Sequence, residues 1–140
     1  MTVPGQSAPA GSRQIQRFGS GGPWEDAYGY ARVVTAGGLA FVSGCTATVD
    51  GEVTDVGDAA GQTRTAFGIA LSSLASIGIG VDRVVSTRMY VVNRDDTDAV
   101  GRIHGEIFGA TRPAATLVIV AGLLHVDHLV EVEVVAALDG

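Results

Sequence analysis

Apolar and polar positions alternate most regularly near the C-terminus. In Leu129-Val130-Glu131-Val132-Glu133-Val134-Val135-Ala136-Ala137, one strand face carries Val130, Val132, Val134 and Ala136. The other carries Leu129, Glu131, Glu133 and Val135. Just upstream, Leu117 to Leu123 is apolar on both faces, the pattern of a central strand covered on two sides. With a short loop between them, these two strands are expected to form one antiparallel pair. The pair would set two carboxylates side by side on a largely apolar sheet.

The rest of the chain supplies strands first, then helix, strand and helix. Gln14 to Phe18 alternates weakly, as a short edge strand does. Gly19-Ser20-Gly21-Gly22-Pro23 is loop by composition and lacks the strand-turn-helix setting of a phosphate cradle. Tyr28 to Val34 and Leu39 to Ser43 read as strands joined through Ala36-Gly37-Gly38, and Asp50-Gly51 marks a tight turn. Ala60, Arg64, Phe67, Ala70, Leu71 and Leu74 recur at helical spacing, which predicts a helix over Asp58 to Ile77. Asp58 caps it, and Gly78 stands where a left-handed residue ends it. Asp82 to Val92 is a long strand, with Val85, Thr87, Met89 and Val91 on one face and Val84, Ser86, Arg88, Tyr90 and Val92 on the other. Thr97 to Phe108 is the second helix, with Val100, Ile103, His104, Ile107 and Phe108 inward and acidic residues at its start. Two helices cover one face of a mixed sheet of five or six strands. The face with Glu131 and Glu133 is left for solvent or another subunit, and the apolar Leu117 to Leu123 run favours a subunit.

Composition narrows the function. One hundred and forty residues suit a single domain, expected over 14–140 after a flexible tail at 1–13. With 46% hydrophobic residues and 17% charged, the chain has little polar surface to spare, which favours an oligomer. A net charge of −6 argues against a nucleic-acid surface. All nine basic residues are arginine, so a lysine Schiff base is excluded. The one cysteine, Cys45, excludes an internal disulfide and fits a reducing cytoplasm. No run reaches the length of a membrane span.

Several motifs carry a resemblance over Tyr28 to Leu138: Phe41-Val42-Ser43-Gly44, Asp50-Gly51-Glu52-Val53 and Arg88-Met89-Tyr90-Val91-Val92. Above all stand Arg112-Pro113-Ala114-Ala115-Thr116-Leu117-Val118 and Leu129-Val130-Glu131-Val132-Glu133. In these the chain resembles the reactive-intermediate deaminase family, also called RidA, YjgF or L-PSP endoribonuclease. The resemblance implies an α+β, chorismate-mutase-like fold: a mixed, mainly antiparallel sheet with two helices on one face. It implies a homotrimer with small-molecule clefts between subunits, and cofactor-free hydrolysis of enamines and imines to ketone and ammonia. Glu131 matches the family's water-orienting glutamate. Ser43 and Gly44 match a cleft-lining pair, Tyr28 the aromatic that closes the cleft, and Asp95 partly matches an asparagine. Ala115, Thr116 and Leu117 fall on the substrate-binding strand. At Ala115 the family's chemically defined members carry an arginine that grips the substrate carboxylate, and a methyl group cannot replace a guanidinium. The chain thus resembles a subgroup without this arginine, with Arg112, Arg88 or Arg17 as alternative cations.

Two roles fit Glu131: a general acid/base with a pKa raised by desolvation, or a carboxylate paired with an arginine across a subunit boundary. Glu133 suits the second role. Cys45 lacks a histidine partner or helix start and reads as an inert thiol. His125 and His128 flank Asp127 on the loop between the last strands, lack a third placed metal ligand and read as a solvated loop, so no metal is expected. His104 reads as a satisfied core histidine, and Trp24 as a wall or lid in an acidic loop. A trimer that binds a small molecule or partner without turnover is the second function, favoured by Ala115. An endoribonuclease is the third, disfavoured by the acidic charge and absent lysines.

Overall fold

In the computed structural model, residues 14–138 are described; the tail expected at 1–13 lies outside them. The strands are β1 (Gln16–Phe18), β2 (Val33–Ala36), β3 (Leu39–Thr46), β4 (Thr48–Val49), β5 (Glu52–Val53), β6 (Val84–Val91), β7 (Ala114–Ile119) and β8 (Val130–Ala137). The helices are α1 (Pro23–Tyr28), α2 (Ala59–Ala75) and α3 (Thr97–Phe108). Six strands form one sheet in the order β1-β2-β3-β8-β6-β7, and β4 and β5 form a small hairpin. Only β6 and β7 are parallel in the large sheet. The fold is mixed α+β with two main helices, as expected.

The alternation in β8 decides which face is covered. Val130, Val132, Val134 and Ala136 are fully buried under α2 and α3, while Glu131, Glu133 and Val135 on the other face are only half-buried. Among the described residues no helix covers that second face. Phe67 on α2 anchors the core, meeting Phe108 edge-on at 5.1 Å and His104 at 5.7 Å. His104 is satisfied there by the Thr87 hydroxyl at 2.8 Å.

The expected pairing of the last two strands does not form. β8 lies between β3 and β6, and β7 is an edge strand against β6 alone. The cause is topological: α3 carries the chain from β6 across to β7, and a helical crossover returns the strand parallel. Of β7 only Leu117 is even half-buried, so its two-sided apolar pattern is not covered within the chain. Three smaller expectations also change. Tyr28 to Val34 is no strand: α1 ends at Tyr28 and β2 begins at Val33. Pro23 at the first helical position and Glu25 and Asp26 in the first turn are the signals of α1. A bulge between Val84 and Ser86 puts Val84, and not Val85, on the core face. The buried stripe of α2 is Ala59, Gln62, Thr63, Ala66, Phe67, Ala70 and Leu74; Arg64 is exposed and bridges to Glu106 on α3 at 3.1 Å.

Gln62 is polar but fully buried because it clamps the loop leading into β8. Its amide donates to the carbonyls of Asp127 (2.8 Å) and Asp55 (3.3 Å), and its oxygen accepts from the Leu129 N–H (2.8 Å). Gln62→Leu keeps the volume and strands these partners. It is expected to lower stability by about 2 kcal/mol, measured by urea unfolding, with loss of amide protection at Leu129.

Candidate functional site

The site is built on an irregularity in the sheet. Val42 pairs with Val134 and Cys45 with Val132, so Ser43 and Gly44 on β3 stand opposite Glu133 alone on β8. Two residues against one is a β-bulge, a device that re-aims side chains. Here it opens a space beside Glu131, whose register partner is Thr46. The Glu131 carboxylate fills the place a side chain at 44 would need: a Cβ there would stand 2.1 Å from Oε2. Gly44 is therefore required by contact, since its backbone is not left-handed. Gly44→Ala must push the carboxylate aside. Because a flexible side-chain end yields, it is expected to cost only about 1–3 kcal/mol. Melting measurements on the variant check this.

Arg32, which the sequence did not single out, closes the other side of the bulge. Its Nη1 donates to the carbonyls of Ser43 and Gly44, both at 3.0 Å, and to Cys45 Sγ at 3.3 Å. Its guanidinium also lies 5.8 Å from the Tyr30 ring centre. The one signal available was a charge inside the apolar run Ala31-Arg32-Val33-Val34. Burial raises the pKa of Glu131 above the ordinary carboxylate range; Glu133 adds to this and Arg32 opposes it. Burial likewise pushes the Cys45 thiol up, against the pull of Arg32. A buried, protonated thiol is a poor nucleophile.

The neighbouring carboxylate is differently placed. Glu133 accepts a short hydrogen bond from the Tyr90 hydroxyl, which raises the Tyr90 pKa, and it stands opposite Arg88 in register. Among the described residues, no hydrogen-bond donor engages the Glu131 carboxylate. One acid is tied into the sheet and the other is held ready beside a bulge.

Next to the bulge an open groove of about 570 Å³ is lined by Arg17, Glu25, Tyr30, Ala31, Val34 and Ser43. Ser43 Oγ donates to the Ala31 carbonyl at 2.6 Å, tying the groove wall to the bulge. Buried Glu25 is held by the Ser20 N–H and hydroxyl, which keep its pKa low despite burial. Tyr30, not Tyr28, lies against this groove. Tyr28 is 70% exposed and stacks on Trp24, itself 59% exposed, at 5.3 Å. Trp24 thus sits on α1 and not in a loop.

The signature strand is not brought to Glu131 within one chain. Ala115 pairs with Thr87 and Leu117 with Met89, both on the helix-covered face, opposite to Glu131. Thr116 pairs with Arg88 and shares the face of Glu131, but across β6. Asp95 sits in the exposed turn after β6. Arg112 is exposed in a left-handed conformation (φ 55°) before Pro113. His128 is not in a solvated loop: it is buried and bonded through Nε2 to Thr48 at 2.8 Å, with burial lowering its pKa. Among the described residues no three His, Cys, Asp or Glu side chains gather as a metal site.

Comparison with known proteins locates this architecture. The family model described as Endoribonuclease L-PSP matches residues 24–138. An uncharacterized protein of Streptomyces coelicolor is 42% identical over 125 residues, 89% of this chain and 93% of that protein. The 3-aminoacrylate deaminase RutC of Acinetobacter baylyi is 31% identical over 108 residues, 76% of this chain and 85% of that protein. The crystal structure of Rv2704 from Mycobacterium tuberculosis, a member of the YjgF/YER057c/UK114 family, superposes with a TM-score of 0.79 at 34% identity. It covers 89% of this chain and 100% of that one.

Proposed function

The chain belongs to the YjgF/RidA (Endoribonuclease L-PSP) family, and from that premise we propose that it hydrolyses small reactive enamines and imines to ketone and ammonia. The observation that carries this reading is the Glu131 carboxylate: half-buried, raised in pKa, without a hydrogen-bond donor among the described residues, and lodged against Gly44 in a bulge. A carboxylate with a raised pKa is a stronger base than an ordinary one and so better suited to take a proton from water. Glu131 takes a proton from water as the water oxygen bonds to the C=N carbon, and returns that proton to nitrogen to give a carbinolamine. It then takes the hydroxyl proton and passes it to the amine nitrogen, so that the C–N bond breaks and ammonia leaves as the C=O forms. No cofactor enters this balance. The deaminase name of the Acinetobacter relative points to the same class of reaction.

The cytoplasmic protein acts as a homotrimer in this reading. The uncovered sheet face with Phe41, the bare edge strand β7, and the β7–β8 loop with Leu124 100% and Val126 90% exposed are apolar surfaces that sister chains would seal. Clefts between subunits would bring the Ala115 strand of one chain near the Glu131 of another. Ala115 in place of an arginine favours a second reading, a trimer that binds a small molecule or partner without turnover. Ammonia release from freshly generated imines, with and without a carboxylate, separates the two. Release above the uncatalysed rate supports the hydrolase; none from any substrate leaves only the binder. Mass in solution checks the trimer, and a monomer that is fully active would refute it.

A further inference from the structure

At the bulge a side chain stands where a neighbouring strand would. The β2–β3 ladder ends at the pair Val33 and Val42, and Arg32 precedes β2. Successive carbonyls on a regular strand point to opposite edges, each toward a neighbouring strand. Those of Ser43 and Gly44 instead converge on one atom, Arg32 Nη1, at 3.0 Å each, and Cys45 Sγ lies 3.3 Å from the same nitrogen. One nitrogen thus gathers the two bulged residues and the first that pairs again with β8. Carbonyls at an irregular point of a sheet need donors from outside the ladder. A guanidinium supplies several from one rigid plane and keeps its charge at every working pH. Arg32 is itself held at two ends: its carbonyl accepts the Ser43 N–H at 2.9 Å, and its guanidinium lies 5.8 Å from the Tyr30 ring centre.

The charge sits where it bears on the acid. The titratable groups around Glu131 are Glu133 on its own strand, Cys45 on β3 and Tyr90, its register partner, on β6. Arg88 stands one pair further along β6, opposite Glu133. Burial raises the Glu131 pKa, Glu133 adds to it, and Arg32 opposes both. Arg32 and Glu131 nevertheless form no ion pair. They meet through Gly44, whose carbonyl Arg32 holds and whose α-carbon the Glu131 carboxylate abuts.

Resting on the reading of Glu131 given above, we propose that Arg32 is the positioning residue for that acid: it fixes the two extra residues of the bulge and so keeps Gly44 against the Glu131 carboxylate. Geometry and charge act together here. The fixed glycine gives the carboxylate one place to lie, and the nearby cation keeps enough of it ionised to accept a proton. Without Arg32 the two carbonyls turn to water, the bulge relaxes, and burial and Glu133 alone set the acid's proton affinity.

The test begins without turnover. In the full-length protein, carbon-13 NMR follows the titration of the Glu131 carboxyl in the wild type, Arg32→Gln and Arg32→Lys. In Arg32→Gln, which has an amide donor but no charge, the titration is expected to move to higher pH and the Gly44 amide signal to shift. Arg32→Lys restores the charge and reverses most of the move. In turnover, Arg32→Gln is expected to lower kcat roughly 10²-fold, the cost of a small misplacement, with a far smaller change in KM. The acidic limb of its rate profile moves up in step with the titration. If Arg32→Gln folds with the titration, the Gly44 signal and kcat unchanged, Arg32 is a fold contact alone and the proposal is overturned. If neither variant folds, the wild type decides: slow exchange of the Arg32 Nη protons supports the proposal, and a freely rotating guanidinium overturns it. A titration that depends on Arg32 together with no ammonia release upholds the positioning and refutes hydrolysis, so the two failures are distinguishable.

Discussion

Glu131→Gln is expected to lower ammonia release by roughly 10²- to 10⁴-fold, the range for a general acid/base, while the protein folds and melts at a higher temperature at neutral pH. Both effects share one cause. Burial raises the carboxyl pKa, so the ionised form that accepts the proton is the form the fold disfavours. The sign follows by linkage. A carboxyl whose folded pKa lies above its unfolded value binds more protons in the folded state, so its contribution to stability is full below the unfolded pKa. That contribution is lost as pH rises through the folded pKa. Glutamine removes the charge and nearly keeps the shape, so the gain in melting temperature should be larger at pH 8 than at pH 4. Rates and melting curves at both pH values check the prediction. Unchanged turnover would remove Glu131 from the chemistry. A melting temperature that falls at pH 8 would mean the charge is stabilising, as a carboxylate paired across a subunit boundary would be. Sites kept reactive at a cost in stability are a general pattern.

Phe67→Ala is expected to cost about 3–5 kcal/mol, the range for emptying an aromatic site in a core. Phe67 is fully buried on α2 and meets Phe108 and His104 of α3 edge-on. Its ring is the main apolar joint between the two helices that cover the sheet. Domains of this kind are stable by roughly 5–15 kcal/mol, so the loss would be a large share of the whole. Urea unfolding should show a lower midpoint with an unchanged slope, and the amides of α3 should exchange faster. A loss under about 1.5 kcal/mol would mean that the helices close over the gap. The joint matters for the site only indirectly: α2 packs against β3 and β8, the two strands that make the bulge.

The candidate site was legible in part. Glu131 and Glu133 stood out together because charges at alternating positions on an apolar strand must be either paired or used, and the resemblance singled out Glu131. Ser43 and Gly44 entered through a resemblance, and the structure supplies the reason for the glycine. Arg32 escaped notice because its one local mark, a charge in a short apolar run, does not say what it reaches. Its role comes from reaching the carbonyls of residues 43 and 44 across a strand pair, and sequence order does not encode that reach. Tyr28 and Tyr30 are two residues apart in the chain, and only the end of α1 at Gly29 decides which of them lies against the groove.

The sequence by itself determined the periodic features. These are the buried face of β8, the two main helices with Asp58 capping the first, the left-handed Gly78, and the bare sheet face with its two acids. Period and capping are local rules, read within a few residues of where they act. The tertiary structure alone decided which strands are neighbours, that β7 is a parallel edge and not the partner of β8, and that a bulge sets a carboxylate against a glycine with an arginine behind it. The apolar run of β7 did not report which segment lies beside it, and within the chain it stays largely exposed. Pairing across the sheet is a choice among distant segments, made by the crossover through α3 and by packing over the whole core.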